Sequence, residues 1–400
     1  MTERPRLRPL EMVPVEAEGE SLICVRDPTG MAERAFLRRP AAYLAVLCDG
    51  TRTIPEVALE FARRSGIGVS DAVVEGLVAE LDRCGLLEGP RADAQKARIR
   101  DAFEAAPTRP AAHAGLSYPT EGEELRAYLA AFDGTGAPPD VGPPDALIVP
   151  HIDFHRGGPV YARAYATLAA PPDLVVVFGT DHNGVDAPFA LTRKPYATPL
   201  GEVPTDTALV SRLHAELGDW VFADELHHRN EHSVEFQAVW LRYRYADRTP
   251  PMLPVLCGSL HRELGRAASP GSDPRRAAFI DVLGRAIAGR SVLVVAGADL
   301  AHVGPQFGDA ESMGGREARG RVEGDDRAAL AAAASGSAEG FFRAVAEVGD
   351  RNRICGLAPI WATLALRPAG RGTLIDYAQC GADPTGDSFV SVASMALRRP

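Results

Sequence analysis

Residues 146–155 read Ala-Leu-Ile-Val-Pro-His-Ile-Asp-Phe-His. Four apolar side chains run directly into two imidazoles and a carboxylate. Two later stretches repeat the pattern. Leu174 to Phe178 breaks at Gly179 into Thr180-Asp181-His182-Asn183, and Ser291 to Ala296 breaks at Gly297 ahead of Asp299-Leu300-Ala301-His302. Short β-branched runs bounded by Gly or Pro read as buried strands. In open α/β sheets the ligand crevice lies just beyond the carboxyl ends of such strands. Three strands ending in His and Asp would therefore deliver those side chains to one place. The expectation is a metal or acid/base site at the mouth of an α/β sheet.

Around this stretch, strand and helix patterns alternate: Ala146–Val149, Tyr161–Leu168, Leu174–Phe178, Thr205–Leu217, Ser233–Tyr245, Pro254–Cys257, Ala277–Ala288 and Ser291–Ala296. The alternation predicts an α/β fold with a central, mostly parallel or mixed sheet flanked by helices. A helix over 123–132 and a Pro/Gly-rich stretch, 134–144, lead into the first strand. The polar, Gly-rich stretches 265–276 and 306–326 read as loops near the site mouth.

Upstream, residues 1–18 are rich in Pro, Arg and Glu and read as a frayed lead-in. Ser21–Val25 and Arg34–Leu37 pair as strands across the turn Asp27-Pro28-Thr29-Gly30. Three helices follow. The first, 41–47, stops at Cys48-Asp49-Gly50. The second opens on the capping box Thr53-Ile54-Pro55-Glu56. The third is capped by Ser70 and carries Val73, Val74, Leu77, Val78 and Leu81 on one face. This predicts a small winged-helix-type domain over 1–90, a linker over 91–110, and the α/β domain over 111–400. A DNA-reading third helix is disfavoured, because Asp71, Glu75, Glu80 and Asp82 face a single Arg83.

Composition narrows the classes further. With 46% apolar and 24% charged residues the chain is ordinary for a well-cored globular protein. No apolar run reaches the ~18 residues of a membrane span. The net charge of -10 argues against nucleic acid or an anionic membrane as partner. The amino-terminal residues lack the apolar core of a secretory signal. Six scattered cysteines (24, 48, 84, 257, 355 and 380) without CxxC spacing read as reduced thiols, so the expected location is cytoplasmic. GxSxG, GxxxxGK[ST], HExxH and a dinucleotide glycine fingerprint are all absent.

His151, His182 and Cys355 are the candidate metal trio, since two imidazoles and a thiolate suit Fe(II), Cu or Zn. Cys355 stands at the entrance to an apolar helical segment, where a thiol's pKa falls. His232 and Glu235, three apart at a helix start, share a face. They read as an acid/base pair, or with Glu235 orienting an imidazole. Asp299 and His302 are candidates for proton transfer or substrate orientation. Asp153, His155 and Asp181 neighbour better candidates and are alternative donors. Taken singly, each has a bland reading as a core or surface residue. His227-His228 read as an exposed polar loop, and His214 and His261 as surface positions.

Seven motifs occur in order: His113-Ala-Gly-Leu-Ser-Tyr118, Pro150-His151, Gly179-Thr-Asp-His182, Tyr196-Ala-Thr-Pro-Leu-Gly201, Glu231-His-Ser-Val-Glu235, Asp299-Leu-Ala-His302 and Ile354-Cys-Gly356. The series resembles the MEMO family, including the AmmeMemoRadiSam system protein B group, over about 110–400. The resemblance implies a fold like that of the class III extradiol dioxygenases (LigB-like), which bind non-haem iron. It also implies that His151, His182 and Cys355 match the family's metal positions, with His232, Asp299 and His302 lining the same cleft. A cysteine in place of the dioxygenases' carboxylate ligand puts ring cleavage in doubt. The sequence departs from the family where Ile152-Asp153-Phe154-His155 follows Pro150-His151. Residues 20–90, with the DGxxTIxEV pattern at 49–57, resemble PqqD-like peptide-recognition modules. That implies a radical-SAM enzyme or a peptide as partner, and this module is extra to the family pattern.

Three functions follow as expectations. The first is a metal-dependent oxidoreductase using Fe(II), or Cu or Zn, with His232 and His302 as acid/base groups and a small molecule or peptide as substrate. The second is a non-catalytic peptide- or protein-binding scaffold. The third is a zinc-dependent hydrolase with the same residues.

Overall fold

The computed structural model describes residues 3–17, 19–133, 141–184, 187–266, 268–367 and 370–399. The chain divides into two compact units, Met1–Ala106 and Pro107–Pro400. In the first, strands β1 (Glu11–Ala17), β2 (Glu20–Arg26) and β3 (Ala35–Leu37) form an antiparallel sheet in that order. The lead-in is therefore a strand. Its proline and charges obscure the run Met12-Val13-Pro14-Val15, and Pro14 is tolerated because β1 is an edge strand. Helices Arg39–Val46, Ile54–Ser65 and Asp71–Arg83 pack with this sheet, and the Thr53/Glu56 capping box is formed. Ser70 is the N-cap of the third helix, but its hydroxyl makes no capping bond. A fourth helix, Pro90–Ala105, fills most of the stretch 91–110.

The second unit is α/β. Its strands are β4 (Ala146–Val149), β5 (Leu174–Thr180), β6 (Phe189–Leu191), β7 (Met252–Cys257), β8 (Val292–Gly297), β9 (His302–Val303), β10 (Arg371–Gly381) and β11 (Phe389–Arg398). The sheet order is β10-β11-β4-β8-β5-β7-β6, with β9 paired to β11. The central pairs β4/β8, β8/β5 and β5/β7 are parallel, and the outer pairs are antiparallel. The sheet is thus mixed. Successive side chains point to opposite faces, and each face has its own core. Ile148, Val176, Leu253 and Val294 pack under the helices at 274–286, 338–347 and 357–366, while Leu147, Val175, Met252 and Val295 pack under those at 154–165 and 232–245. Burial on both faces explains why these strands read as unbroken apolar runs.

Two stretches read as loops are partly helical. Arg316–Ala334 is one helix whose pattern is diluted by Gly320 and Gly324, and only Val322, Asp326, Ala329, Leu330 and Ala333 are buried along it. Pro274, at the first turn behind the Asp273 cap, opens the helix Pro274–Ala286. Most of the stretch 134–144 lies outside the described residues. Among the described residues no helix is long and apolar enough to cross a membrane.

Two glycines let the site form. A Cβ on Gly179 would collide with Ser233 Oγ, and one on Gly297 would meet the Ser233 carbonyl at 2.6 Å. Their bareness brings the amino end of the helix His232–Tyr245 down onto β5 and β8, where Ser233 Oγ donates to the Thr180 carbonyl at 2.8 Å. Register then does the rest. Val149 and Gly179 both align with Gly297, so three parallel strands end level.

Candidate metal centre

At the carboxyl edge of those strands His151 is buried, and its Nδ1 lies 2.9 Å from the Gly297 carbonyl. A carbonyl only accepts, so Nδ1 carries a proton and Nε2 is the nitrogen turned towards the centre. Nε2 lies 3.1 Å from Cys355 Sγ and 3.7 Å from Asp299 Oδ2. Asp299 Oδ1 accepts the main-chain N–H of His151 at 2.7 Å and of Ile152 at 3.0 Å, fixing the turn that leaves β4.

His182 is held from Glu231. Its Nδ1 lies 3.0 Å from Glu231 Oε2, which also accepts the His182 N–H at 3.1 Å. Glu231 Oε1 accepts the Ser233 N–H at 3.0 Å and stands 3.2 Å from His232 Nδ1. One buried carboxylate therefore orients two imidazoles, which stack with centroids 4.9 Å apart. Cys355 precedes the helix Leu357–Leu366, its carbonyl accepting from Thr180 Oγ1 at 3.1 Å. The next residue, Gly356, donates its N–H to the Asp299 carbonyl at 2.9 Å. His302 Nδ1 is 3.1 Å from the Leu300 carbonyl, which leaves Nε2 as the nitrogen turned towards Cys355.

Donor atoms of His151, His182 and Cys355 lie within 4.8 Å of one another, as do those of Asp299, His302 and Cys355, and those of His182, Glu231 and His232. The residue types and their convergence fit a borderline or soft transition ion. Electrostatics separates the groups. Burial opposes ionisation of Cys355, but His151 and His302 outweigh it and hold the thiol well below its usual range. Burial likewise opposes the charge on His151, yet Cys355 and Asp299 raise it to about 9. His302 is raised against burial chiefly by Cys355, and His182 against burial chiefly by Glu231. Glu231 is lowered well below the carboxylate range despite burial, by His182 and His232. Burial, aided by His182, His151 and His113, drives His232 well below the usual imidazole value despite Glu231.

The remaining candidates point elsewhere. Asp153 caps the helix Phe154–Tyr165 and pairs with Arg156, while His155 is exposed. Asp181 binds His227 Nδ1 at 2.8 Å. Glu235 orients no imidazole: its carboxylate meets Arg109, Tyr118 Oη and the His113 N–H. Arg109, fully buried, also donates to the carbonyls of Glu231 at 2.9 Å and His228 at 2.8 Å. His227 and His228 are not an exposed loop. His228 is buried between Tyr196 Oη and the Ala190 carbonyl, and burial lowers its pKa to about 3. Sequence reasoning passed over Glu231 and Arg109. Glu231 was within view as the residue preceding His232, whereas nothing local marks Arg109.

A cavity of about 200 Å³ opens beside the centre, lined by Asp181, His182, Leu260, Cys355, Leu357 and Ala358 among others. A larger hollow of about 360 Å³ lies at the opposite ends of the strands, around Pro143 and Ser291, with no His or Cys in its wall.

A mixed α/β sheet whose strand ends bring two imidazoles within coordination reach of a thiolate at a helix entrance defines the class: a protein with a candidate His/Cys metal centre. The chain belongs to the Memo-like protein family, whose pattern matches residues 109–396. A MEMO1 family protein of Aquifex aeolicus is 25% identical over 406 residues, covering 98% of this chain and 100% of its own. The Thermus thermophilus protein TTHA0924 is 32% identical over 292 residues, covering 70% of this chain and 83% of its own. A Methanosarcina mazei relative is 30% identical over 296 residues, covering 72% and 98% respectively. The Aquifex alignment extends over the N-terminal unit as well.

Proposed function

We propose that the chain is a non-haem metal protein in which His151, His182 and Cys355 hold Fe(II), with Cu or Zn as alternatives, and that it acts as an oxidoreductase on a small molecule or peptide in the cleft. The observation that carries this reading is the convergence of the three donor atoms, with Nδ1 of each imidazole already engaged so that Nε2 is the nitrogen that faces the centre. Bound Fe(II) or Cu would supply Lewis acidity and one-electron chemistry, whereas Zn would supply Lewis acidity alone.

The protein's own groups divide the proton work. His302 Nε2, whose protonated form the neighbouring thiolate favours against burial, serves as acid. His232, kept neutral, serves as base. Paired groups whose surroundings push their pKa values apart are the usual arrangement for such roles. Asp299 is a positioning residue, because its Oδ1 is occupied by the His151 and Ile152 N–H groups. For the N-terminal unit we propose a PqqD-like, winged-helix role in docking a peptide or a radical-SAM partner. An open, mainly apolar groove of about 320 Å³, lined by Met12, Pro14, Ile23, Ala42, Tyr43 and Val46 together with Arg39, favours that role.

The test is elemental analysis of protein purified without oxygen, wild type beside Cys355→Ala and His182→Ala. Near-stoichiometric iron or copper in wild type, lost from both variants, is expected. Zinc with oxygen-independent turnover would replace this reading with hydrolysis. No metal after anaerobic reconstitution would leave a binding scaffold.

A further inference from the structure

The backbone beside the centre is contorted just before Cys355. Asp350 (φ 45°) and Arg353 (φ 53°) adopt left-handed geometry that side chains other than glycine's disfavour. Among the described residues Ala246 is the only other non-glycine residue to do so. Such geometry persists where the surroundings over-determine it, and it clusters at functional sites.

What over-determines it is a set of bonds to His302 and to the cysteine segment. Arg353 Nε donates to the His302 carbonyl at 2.9 Å, and the His302 N–H donates to the Asn352 carbonyl at 2.8 Å. The Arg353 guanidinium also pairs with Asp309, whose carboxylate accepts the Gly304 N–H at 2.6 Å. On the cysteine side, Asp350 Oδ1 accepts the Ile354 N–H at 2.8 Å. The loop therefore grips the main chain of His302 from two directions and ends two residues before the thiolate.

We infer that Arg353 is a positioning residue: its left-handed backbone and its guanidinium together fix His302 against Cys355. At this φ a loop selected for stability alone would carry glycine. An arginine there serves the geometry of the centre. The inference rests on the metal reading above, and its test separates the two.

Wild type, Arg353→Gly and Asp309→Asn are compared as full-length proteins by three readouts: melting temperature, Co(II) titration followed by the thiolate-to-cobalt absorption band, and the rate at which iodoacetamide labels Cys355 in metal-free protein, read by mass spectrometry. Glycine relieves the strained φ, so Arg353→Gly is expected to melt within about 4 °C of wild type. It is expected to bind Co(II) about tenfold more weakly, with an altered band. Its Cys355 labelling rate is expected to change by about threefold or more. Asp309→Asn should move the same readouts in the same direction, and it carries the test if the glycine variant fails to fold. Unchanged cobalt affinity, band and labelling rate in either folded variant would overturn the inference. If wild type takes up no Co(II), the metal reading fails and the labelling rate alone decides this one.

Discussion

Asp326 is fully buried in the helix Arg316–Ala334. Its Oδ2 accepts from Ser391 Oγ at 2.6 Å and Tyr377 Oη at 2.8 Å, while Oδ1 has no partner among the described residues. Burial is the main cause that lifts its pKa from 3.8 to about 6, with Asp325 and Glu323 adding to it. The folded chain thus keeps the proton until about pH 6, whereas the unfolded chain releases it near pH 4. The stability that goes with that proton is full below the lower value and is lost as pH rises through the upper one. That displacement corresponds to about 3 kcal/mol. Asparagine cannot ionise, so Asp326→Asn should gain on wild type by about 3 kcal/mol between pH 4 and pH 7.5. Any change in hydrogen bonding adds an offset of about 1 kcal/mol that does not vary with pH. Urea denaturation at several pH values measures this. All three tryptophans (220, 240 and 361) lie in the second unit, so fluorescence follows the unit that contains Asp326. A difference between the two proteins that stays flat from pH 4 to 7.5 would refute the reasoning.

Glu231→Gln removes the carboxylate that orients His182 and His232, and metal affinity should fall about 10- to 100-fold in chelator competition. Glu235→Gln leaves Arg109 buried without its carboxylate and should cost about 3–5 kcal/mol in the same urea assay. His155→Ala, at an exposed position, should leave metal content unchanged by elemental analysis.

Much of the central sheet was legible because β4, β5 and β8 are buried on both faces and therefore contain little but apolar residues. The outer strands were not. β10 carries Asp376 and Gln379, and β11 carries Ser391 and Ser394, so neither reads as an apolar run. The ligand candidates His151 and His182 stood out because a parallel strand that ends in a polar side chain points at the crevice. Glu231 did not, because an acidic residue just before a helix has an ordinary reading as a cap, and here it is one as well: it accepts the Ser233 N–H. Only the fold shows that the same carboxylate also holds two imidazoles. Arg109 was invisible for a different reason. Its partner Glu235 lies 126 residues away, and no local pattern reports a buried ion pair of that span.

The pairing of β4 with β11 has a temporal consequence. His151 follows a strand at 146–149, yet the neighbour that completes that strand's hydrogen bonding, through Met395 to Leu397, is made about 250 residues later. During synthesis the imidazoles emerge long before Cys355, and Cys355 emerges before the strand that closes the sheet. The sheet that carries the candidate donors is therefore complete only once β11 has been made and has paired with β4, so the scaffold of the centre depends on a contact between distant parts of the chain.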